Sequence, residues 1–359
     1  MNIREVKVSE LADFVNSEEY EMLDFKPISP LRAVSQFYNP VANPDDIALV
    51  FVSEENKLQG FAGLLPDKLN DDDSPVSSNS GWWIKPGKNH LALPIFLRAL
   101  QKSNRRMFFT DCSAQTKSIL EKTGMFGFLP PVTGERYFLK YCFSQVMSRK
   151  GAYEIVINTL GVFDLVLNFL FSLRMKWFMT SKKLKNASIY AIPVIDDELS
   201  EFITEHSPNN ILKQTGQKLN WIMLHSWLTT DQSTAGIQYP FSYRVEKYAQ
   251  ELLLVKKQNE ICGVLLLTVR DGMASVPYIF YRKEFLGDIA LQIRIYLEKI
   301  QAESVVVFNP QLRRAMKTKG FPSVYKKKIS RFAGYSNDLK TTFEKYRYFQ
   351  DGDGDVAFT

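Results

Sequence analysis

The stretch RRMFFTDCSAQTKSILEKTGMFGF, residues 105–128, contains most of the signals that decide the fold. It begins with a short apolar run, Met107 to Phe109, that is typical of a buried strand. A turn of small residues follows, in which Asp111 or Ser113 is suited to cap the N-terminus of a helix. Gly124 ends that helix, as glycine commonly does after a last helical turn. The pattern predicts a buried strand followed by a short helix.

The same order of signals returns near the end of the chain. Val305 to Phe308 form a second apolar run, and the helix that follows them stops at Gly320-Phe321. Between the two, Asn309-Pro310 opens a turn that places proline at a favourable first helical position. Strand, cap, short helix and glycine therefore occur twice.

Two predicted hairpins upstream extend this repeat. In each, a polar turn separates two apolar runs, and Gly60 and Gly263 hold the same place after the turn. The hairpins are VFVSEENKLQGFAGLL at 50–65 and LLVKKQNEICGVLLL at 253–267. A further strand and an amphipathic helix follow in each half, at 81–86 and 92–101 in the first and at 276–283 and 289–300 in the second.

The spacing of the two halves agrees. Pro86 and Gly124 are 38 positions apart, and Lys283 and Gly320 are 37 apart. The first half has six more residues before Pro86, which we assign to a surface loop over 67–80. A repeat period near 200 residues predicts two domains and not a solenoid. We expect a first domain over 1–146, an apolar helical linker over 147–187, a second domain over 188–337 and a tail over 338–359.

Each half resembles the N-acetyltransferase fold of the GNAT superfamily over roughly residues 20–140 and 190–335. The family's late motif is close to Asn-x-x-Ala-x-x-Leu-Tyr-x-Lys-x-Gly-Phe. Its places are taken by Ser113, Thr116, Ile119, Leu120, Lys122, Gly124 and Met125, and then by Asn309, Leu312, Ala315, Met316, Thr318, Gly320 and Phe321. The resemblance implies an α/β (α+β) fold class, with two tandem domains that each contain a twisted, mostly antiparallel sheet flanked by helices. It also implies acyl transfer to an amine, with acetyl-CoA or another acyl-CoA as co-substrate.

Composition limits the class of protein. A chain of 359 residues, of which 45% are hydrophobic, suits two domains with ordinary cores. The net charge of +6 permits a ligand that carries phosphates and gives no reason to expect nucleic acid. Three scattered cysteines predict neither a metal site nor a disulfide framework, and they fit a reducing compartment. With no signal peptide visible at the N-terminus, we expect a cytoplasmic protein, and association with the inner membrane surface is the alternative.

The residues after the strand at 81–86 bear on the coenzyme. In the family, Arg/Gln-x-x-Gly-x-Gly/Ala brings backbone N–H groups to the coenzyme pyrophosphate at a helix N-terminus. Here PGKNHLALP, at 86–94, places Asn89, Ala92 and Pro94 at the positions of the Arg and of the two glycines. The candidate coenzyme-binding residues are Trp83, Ile84, Lys85, Lys88, Asn89, His90, Leu91 and Ala92. The second half keeps Gly287 but adds Asp288, which has the wrong charge for an anion.

The catalytic position also departs from the family's pattern. The family often uses a tyrosine on the last helix as general acid, but Leu120 and Met316 stand there. Good positioning of amine and thioester can still supply about 7–11 kcal/mol. The amine then needs a general base, for which Asp111 and His90 are the candidates. The alternatives are that Asp111 caps its helix and that His90 is merely exposed.

Candidate residues for binding the acceptor come from both halves. A polar, aromatic loop over 229–244 precedes the second hairpin, and such loops often line a binding cleft. Packing is the alternative explanation for its aromatic residues. The candidates are Tyr38, Tyr239, Tyr243, Arg244, Tyr278 and Asn309.

The stretch AYEIVINTLGVFDLVLNFLFSLRMKWFM, residues 152–179, is unusually apolar. Its uncharged runs reach only nine residues, whereas a membrane span needs about 20. As a helix it has one narrow polar arc, formed by Glu154, Asn158, Gly161, Asp164, Asn168 and Ser172. We expect a helix clamped between the domains, with Phe163, Leu167, Leu170 and Phe171 buried. The alternative is an interfacial membrane helix followed by a basic and aromatic flank of Arg174, Lys176, Trp177, Lys182, Lys183 and Lys185.

The tail YRYFQDGDGDVAF, residues 346–358, is predicted to form a surface turn from which Val356 and Phe358 dock back. It resembles the closing stretch of tandem acyltransferase-like proteins that act near cell-envelope and polysaccharide functions. Two classes of function remain open. One is an acyl-CoA-dependent N-acyltransferase with one working half, whose acceptor is a small-molecule, glycan or peptide amine. The other is a non-catalytic or aminoacyl-type protein that holds a glycan or peptide between its domains.

Overall fold

The computed structural model describes residues 2–149, 151, 153–180, 187–231, 238–241, 243–346 and 348–358. Lys182, Lys183 and Lys185 of the predicted basic flank lie outside these ranges. The strands are β1 (Asn2–Lys7), β2 (Ile47–Glu54), β3 (Lys57–Lys68), β4 (Pro75–Ile84), β5 (Met107–Cys112), β6 (Phe126–Phe128), β7 (Val132–Phe138), β8 (Ser188–Ile192), β9 (Tyr248–Lys257), β10 (Glu260–Arg270), β11 (Met273–Tyr281), β12 (Ser304–Val307) and β13 (Tyr325–Ser336). The helices are α1 (Leu11–Val15), α2 (Glu18–Met22), α3 (Pro30–Phe37), α4 (Ala92–Lys102), α5 (Ala114–Lys122), α6 (Phe143–Arg149), α7 (Glu154–Thr180), α8 (Asp197–Glu205), α9 (Gly216–Leu224), α10 (Leu286–Lys299), α11 (Pro310–Thr318) and α12 (Lys340–Lys345).

The chain forms two compact units, each assembled from separate segments. Unit 1 contains residues 1–132, 193–252 and 330–359, and unit 2 contains residues 133–192 and 253–329. In unit 1 the strands follow the order β1-β2-β3-β4-β5-β13, with β6 paired to β13, and in unit 2 the order is β7-β12-β11-β10-β9-β8. All the pairings we describe are antiparallel except β4 with β5 and β11 with β12. This confirms the predicted α/β (α+β) class with mostly antiparallel sheets.

The predicted domain bounds treat each half of the sequence as contiguous, whereas the compact units interleave their segments. The strand after the last helix of each half accounts for the difference. β7 follows α5 in sequence but pairs with β12, and β13 follows α11 but pairs with β5. Nothing in the composition of either strand specifies its partner, because alternation of side chains reports burial and not the neighbouring strand.

The repeat of the hairpins is present in the backbone. The β2–β3 turn holds Glu55 and Asn56 at φ 50° and 59°, and the β9–β10 turn holds Gln258 and Asn259 at φ 50° and 69°. Two-residue turns with positive φ at both positions match the right-handed twist of the strands that they join.

Gly60 and Gly263 also play the same part in the two halves. Gly60 pairs with Ile84 near the end of β4, and Gly263 pairs with Tyr281 at the end of β11. A Cβ on Gly60 would lie 3.0 Å from Ile95 Cδ1, and one on Gly263 would lie 2.8 Å from Ile289 Cδ1. In each half the glycine therefore admits an isoleucine from the helix that follows.

The structure confirms the helix ends that the late motif predicts. Gly124 has φ +67° just after α5, and Gly320 has φ +64° just after α11. At the other end of α5, the Ser113 hydroxyl accepts a hydrogen bond from the Thr116 N–H at 3.0 Å. Ser113 is the helix cap, so Asp111 is not needed for capping.

The predicted surface loop over 67–80 is confirmed only for the exposed turn around Asp71–Asp73. Its Ser/Asn run belongs to β4, where Ser77 and Ser78 pair with Met107 and Phe108 of β5. Ser78 and Ser80 are almost completely buried. The six additional residues lengthen the β3–β4 hairpin. Because its residues are largely polar, the sequence did not indicate that β4 is a buried strand.

The sheet of unit 1 carries a core on each face. Leu49 and Phe51 of β2 belong to one hydrophobic cluster, and Val50 and Val52 belong to another. Because successive residues of a strand point to opposite faces, this alternation places one cluster on either side of the sheet.

The helix α7 is not buried as expected. Phe163 and Leu170 are 61% and 55% exposed, and Leu167 and Phe171 are only half-buried. The covered side contains four residues of the polar arc, Gly161, Asp164, Asn168 and Ser172, together with apolar residues such as the buried Met175. Buried Asp164 accepts hydrogen bonds from the N–H groups of Phe143 and Ser144 at the start of α6, at 3.0 and 2.9 Å. The clamp prediction is therefore wrong, because one apolar half of α7 is exposed. By length and composition alone, the helix over residues 154–178 is also long and apolar enough to cross a membrane. The short uncharged runs in the sequence had predicted the opposite.

The tail is buried, and the predicted surface turn is wrong. Asp353 is fully buried, and its carboxylate accepts hydrogen bonds from the Gln350 N–H and from Gln214 Nε2, at 2.9 and 2.8 Å. Asp351 forms a buried ion pair with Arg331 at 2.6 Å. The docking of Phe358 is confirmed, since its ring stacks on Trp227 with centroids 4.4 Å apart. Val356 remains partly exposed.

Burial of the tail has a consequence for stability. Desolvation raises the pKa of Asp353 from 3.8 to about 7, against the attraction of Lys218. An acid whose pKa is raised by folding binds its proton more tightly in the folded state. The free energy of unfolding therefore falls as pH rises between about 4 and 7, by at most about 1.4 kcal/mol per pH unit for this one group.

We predict that Asp353→Asn removes this part of the pH dependence. The Gln214 Oε1 atom has no partner within the described residues, so a flipped Gln214 amide can accept a hydrogen bond from the new side chain. Urea unfolding across this pH range should give a flatter stability curve for the variant than for the wild type. Asp13→Asn, a change of the same type at an exposed position, is the control. Equal slopes for wild type and Asp353→Asn would contradict the assignment.

Candidate functional site

The two parallel strands at the centre of unit 1 separate along their length. β4 and β5 pair only at Ser77–Met107 and Ser78–Phe108. A β-bulge in β4 follows immediately, where Gly81 has φ +86°. A bulge bends its strand, and here it turns β4 away from β5. The strands form a fork that opens toward the start of α4 and α5.

A cleft of about 410 Å³ occupies this fork. Seven aromatic and three charged residues are among those that line it. The aromatic residues are Trp82, Phe96, Phe109, Trp227, Tyr239, Phe241 and Tyr243. The charged residues are Arg32, Asp111 and Asp355, and the remaining lining residues are Ser29, Asn79, Gly81, Cys112, Ser113, Thr116, Leu120 and Val356. All of them belong to unit 1.

Strand alternation divides the two adjacent tryptophans of β4. Trp82 lines the cleft, where its ring packs 4.6 Å from that of Phe96. Trp83 packs against the other core and stacks on Phe25 at 5.7 Å. The indole N–H groups of Trp82 and Trp227 are buried and have no acceptor within the described residues. Such groups are uncommon in folded proteins and often mark a place for a bound molecule or water.

Arg32 braces the wall of the cleft. Its guanidinium donates to the Tyr239 hydroxyl at 3.0 Å and to the Ser80 carbonyl oxygen, and it lies 4.5 Å from the centre of the Trp227 ring. A Cβ on Gly63 would approach Arg32 Nη2 to 2.7 Å, so this glycine makes room for the guanidinium. The arginine is 5% exposed, and its contacts are directed to the protein.

Asp111 and Cys112 end β5 at the mouth of the fork. The Asp111 side chain is accessible, but the surrounding protein displaces enough water to raise its pKa. Arg331 opposes this rise in the pKa of Asp111, and Asp355 adds to it. Desolvation also raises the pKa of Cys112 to about 11, so its thiol is neutral and weakly nucleophilic near neutral pH.

The cleft brings together three of the residues predicted from the sequence: Asp111, Tyr239 and Tyr243. Tyr38 is 58% exposed and stacks on His225 at 5.2 Å, outside the cleft lining. Arg244 is also exposed and outside it.

The last two candidates for acceptor binding lie in unit 2. Tyr278 is buried beside Phe280, with ring centroids 6.4 Å apart. The Asn309 side chain caps α11 by accepting a hydrogen bond from the Leu312 N–H at 2.8 Å. Both side chains have packing or capping roles in their own unit.

The predicted coenzyme residues are the last two of β4, Trp83 and Ile84, and six in the segment that follows, and none of the eight lines the cleft. Lys85 and Lys88 form ion pairs with Asp24 and Glu54, at 3.4 and 3.8 Å. Asn89, His90 and Leu91 form one helical turn that leads into α4 at Ala92, and the Leu91 side chain is buried in the core. His90 is exposed and is not brought to the cleft. Of the two candidate bases, the structure places only Asp111 at the fork.

Phe241, an aromatic residue of the predicted binding loop, also lines the cleft, whereas the other lining residues Arg32, Trp82, Cys112, Trp227 and Asp355 were not anticipated. Alternation along β4 was a signal for Trp82, since Trp82 and Trp83 must point to opposite faces. Arg32 and Asp355 come from helix α3 and from the tail, and no local pattern connects either of them with β4.

The corresponding fork in unit 2 is filled with apolar side chains. β11 and β12 also run parallel, from Met273–Ser304 to Ser275–Val306. Counting back from Gly124 and Gly320, Val307 takes the place of Asp111 and Leu312 that of Thr116. Ile279 corresponds to Trp82, and all three residues are buried in one cluster. The polar cleft is therefore a feature of unit 1, while the same position in unit 2 is core.

No protein-family model matches this sequence, and no curated protein matches it. Solved structures do resemble it. A GCN5-related N-acetyltransferase from Kribbella flavida aligns with a TM-score of 0.50 and 10% identity, over 93% of this chain and 70% of that one. A protein from Enterococcus faecalis, described as conserved, of unknown function and a "Probable N-Acyltransferase", aligns with a TM-score of 0.53 and 7% identity, over 96% of this chain and 75% of that one. At these identities the likeness concerns the fold, and it confirms the resemblance seen in the sequence. The chain has the fold of the GCN5-related N-acetyltransferases.

Proposed function

We propose that the cleft of unit 1 is an acyl-transfer site, in which an amine acceptor takes the acyl group of an acyl-CoA. Asp111 is the observation that carries this proposal. Its carboxylate stands at the open end of the fork, its pKa is raised, and the neighbouring Ser113 already provides the helix cap. A carboxylate whose pKa has moved toward neutrality is a better general base than an ordinary one.

The charges of the cleft favour a cationic acceptor. Arg32 directs its guanidinium to Tyr239 and Ser80, so its charge is largely committed to the wall. Asp111 and Asp355 then dominate the field inside the cleft, and they attract a protonated amine. The aromatic wall suits the apolar or ring-bearing part of such a molecule. This supports an amine of a small molecule, a glycan or a peptide.

The proposed reaction requires few groups from the protein. The Asp111 carboxylate takes a proton from the ammonium group, and the neutral amine attacks the thioester carbonyl. The new N–C bond forms as the C–S bond breaks, Asp111 returns its proton to the departing thiolate, and the second proton of the attacking nitrogen is released to water. Leu120 replaces the family's usual acid and lines the cleft. Positioning must therefore supply much of the rate, for which about 7–11 kcal/mol is available in well-oriented cases.

The loop before α4 would hold the coenzyme phosphates. Gly87 has φ +86°, and a Cβ there would meet nothing within 4 Å, so the backbone is open to a ligand. Lys88 supplies positive charge beside it. The N–H groups of Lys88 and Leu91 already donate within the turn, to Lys85 and Lys88. The loop thus suits a phosphate group through its side-chain charge and the open backbone at Gly87.

The first test concerns the base. Asp111→Asn keeps the shape of the side chain and removes its basicity, so we predict that kcat falls by about 10²–10⁴-fold. The KM for the acyl-CoA should change little. The assay follows thiol release from acetyl-, succinyl- and longer acyl-CoA with an amino sugar, an aromatic amine and a peptide as acceptors. Asp13→Asn is the matched control.

An unchanged kcat in Asp111→Asn would remove this residue from the reaction. Failure of every acyl-CoA to bind or to raise the melting temperature, together with binding of an acceptor in the cleft, would overturn acyl transfer. That result would favour a non-catalytic binding protein.

The second test concerns the coenzyme loop. Lys88→Glu reverses a charge close to the proposed phosphate position, and we predict weaker binding of acetyl-CoA. The difference from wild type should shrink as salt increases, because screening weakens exposed charge interactions. Lys57→Glu makes the same change at an exposed position on the β2–β3 hairpin and serves as the control. Equal affinities of wild type and Lys88→Glu in isothermal titration would exclude this loop from the site.

A further inference from the structure

We propose that α7 binds unit 2 to the surface of an anionic lipid bilayer, lying in the plane of the interface with its apolar face in the lipid. The first observation is the number of apolar side chains that α7 exposes. Ten large ones are exposed along this helix: Ile155, Val156, Val162, Phe163, Leu165, Val166, Phe169, Leu170, Leu173 and Trp177. Several are more than 60% exposed, including Leu165 at 73% and Trp177 at 79%. Large exposed apolar patches in proteins mark sites of contact with another protein or with a membrane.

The second observation is that the orientation of α7 is fixed. Asp164 accepts hydrogen bonds from the first N–H groups of α6 and from the Ser144 hydroxyl, the last at 2.7 Å. One turn later, the Asn168 amide donates to the Tyr141 carbonyl oxygen at 3.0 Å and accepts from the Tyr141 N–H at 2.8 Å. These bonds hold the polar arc against its own unit. The apolar face has no freedom to turn inward without breaking them.

The covered and exposed residues follow helical periodicity. The covered positions recur every three or four residues, at Ile157, Leu160, Gly161, Asp164, Leu167, Asn168, Phe171, Ser172, Met175 and Phe178. At about 100° per residue they form one stripe. The exposed apolar residues occupy the opposite half of the cylinder. A partner helix would cover a narrow seam of such a face, whereas lipid tails can cover all of it.

The charges near the end of α7 indicate the kind of lipid. Arg174 and Lys176 are exposed and lie at the two opposite edges of the apolar face. From these edges a long basic side chain can reach the headgroups while its stem remains on the apolar surface. The exposed Trp177 is of the type that prefers the membrane–water interface. A parallel two-fold pairing of this face with a second copy would bring Arg174 of each helix close to Lys176 of the other.

The hydrogen bonds of Asp164 show whether α7 would lie in the plane of the membrane interface or span the bilayer. Asp164 is close to the middle of α7, so a spanning helix would carry this carboxylate and the start of α6 into the hydrocarbon. The polar surroundings of the same contact, Lys140 and Glu303, would have to follow them. Buried charges of this kind are strongly disfavoured at the centre of a bilayer. An in-plane helix leaves all of these groups on the side of the protein and of water.

The test uses flotation of the full chain with lipid vesicles. We expect binding to phosphatidylcholine vesicles that contain phosphatidylglycerol, weaker binding to phosphatidylcholine alone, and a loss of the difference at high salt. Val166→Asp combined with Phe169→Asp should reduce binding by about tenfold or more, because it places two charges in the apolar face. Both residues are exposed, so the melting temperature should stay unchanged. Leu224→Asp, at an exposed apolar residue of α9 in unit 1, is the matched control and should bind as the wild type does.

Two further measurements separate the alternatives. Arg174→Glu with Lys176→Glu should abolish the preference for anionic vesicles. Brominated lipids should quench Trp177 more strongly when the bromine is near the headgroup than when it is deep, with Trp177→Phe as the reference. Absence of vesicle binding would overturn the proposal, as would a dimer in lipid-free buffer that Val166→Asp with Phe169→Asp converts to a monomer. Stronger quenching by the deep bromine would overturn the in-plane position.

Discussion

The separation of β4 from β5 after Ser78 is the constraint on which the site depends. Two parallel strands that part leave backbone and side-chain groups without their ladder partners, and buried groups of this kind must find others. Arg32 donates to the Ser80 carbonyl oxygen, and the Ser80 hydroxyl donates to Asp355 at 2.8 Å. On the other strand, the Thr110 hydroxyl donates to the Asp353 carbonyl oxygen at 3.0 Å. Helix α3 and the tail therefore keep the fork open by satisfying the groups that opening it exposes.

This arrangement explains why the tail is both acidic and buried. Asp355 accepts the hydrogen bond of the Ser80 hydroxyl, and Asp351 pairs with Arg331. Asp353 accepts hydrogen bonds from the Gln214 side chain and from a backbone N–H group. Desolvation raises the pKa of Asp351 to about 6, although Arg331 opposes the rise. The hydrogen bonds and the ion pair offset part of the electrostatic penalty of burying these carboxylates, and through them the tail supports the cleft. In unit 2, where Val307 stands in place of Asp111, the fork is filled by apolar packing and needs no such support.

Much of the fold was predictable because its signals are local. Positive φ in a two-residue turn, a glycine after a helix and a Ser or Asn cap each depend on a few neighbouring residues. The exchange of β7 and β13, the insertion of the tail and the position of Arg32 depend on pairs of residues far apart in the chain. Asp111 illustrates the boundary between the two. The sequence placed it at the end of a strand beside a helix, but only the hydrogen bond of Ser113 shows which of them caps the helix.

The helix α7 shows a further limit of periodicity. A pattern of polar and apolar residues identifies two faces of a helix, but not which face meets the protein, because either one can be buried if its groups are satisfied. Covering Asp164 and Asn168 is favourable here because each makes two or more hydrogen bonds to the segment that begins α6. A polar group that makes all its hydrogen bonds leaves water at little cost in free energy. The exposed apolar face, in contrast, forgoes about 25 cal/mol of stabilisation for every Å² that stays in water. The missing stabilisation has to come from a surrounding that is itself apolar, and a lipid surface with anionic headgroups supplies it while matching Arg174 and Lys176 at the edges of the face.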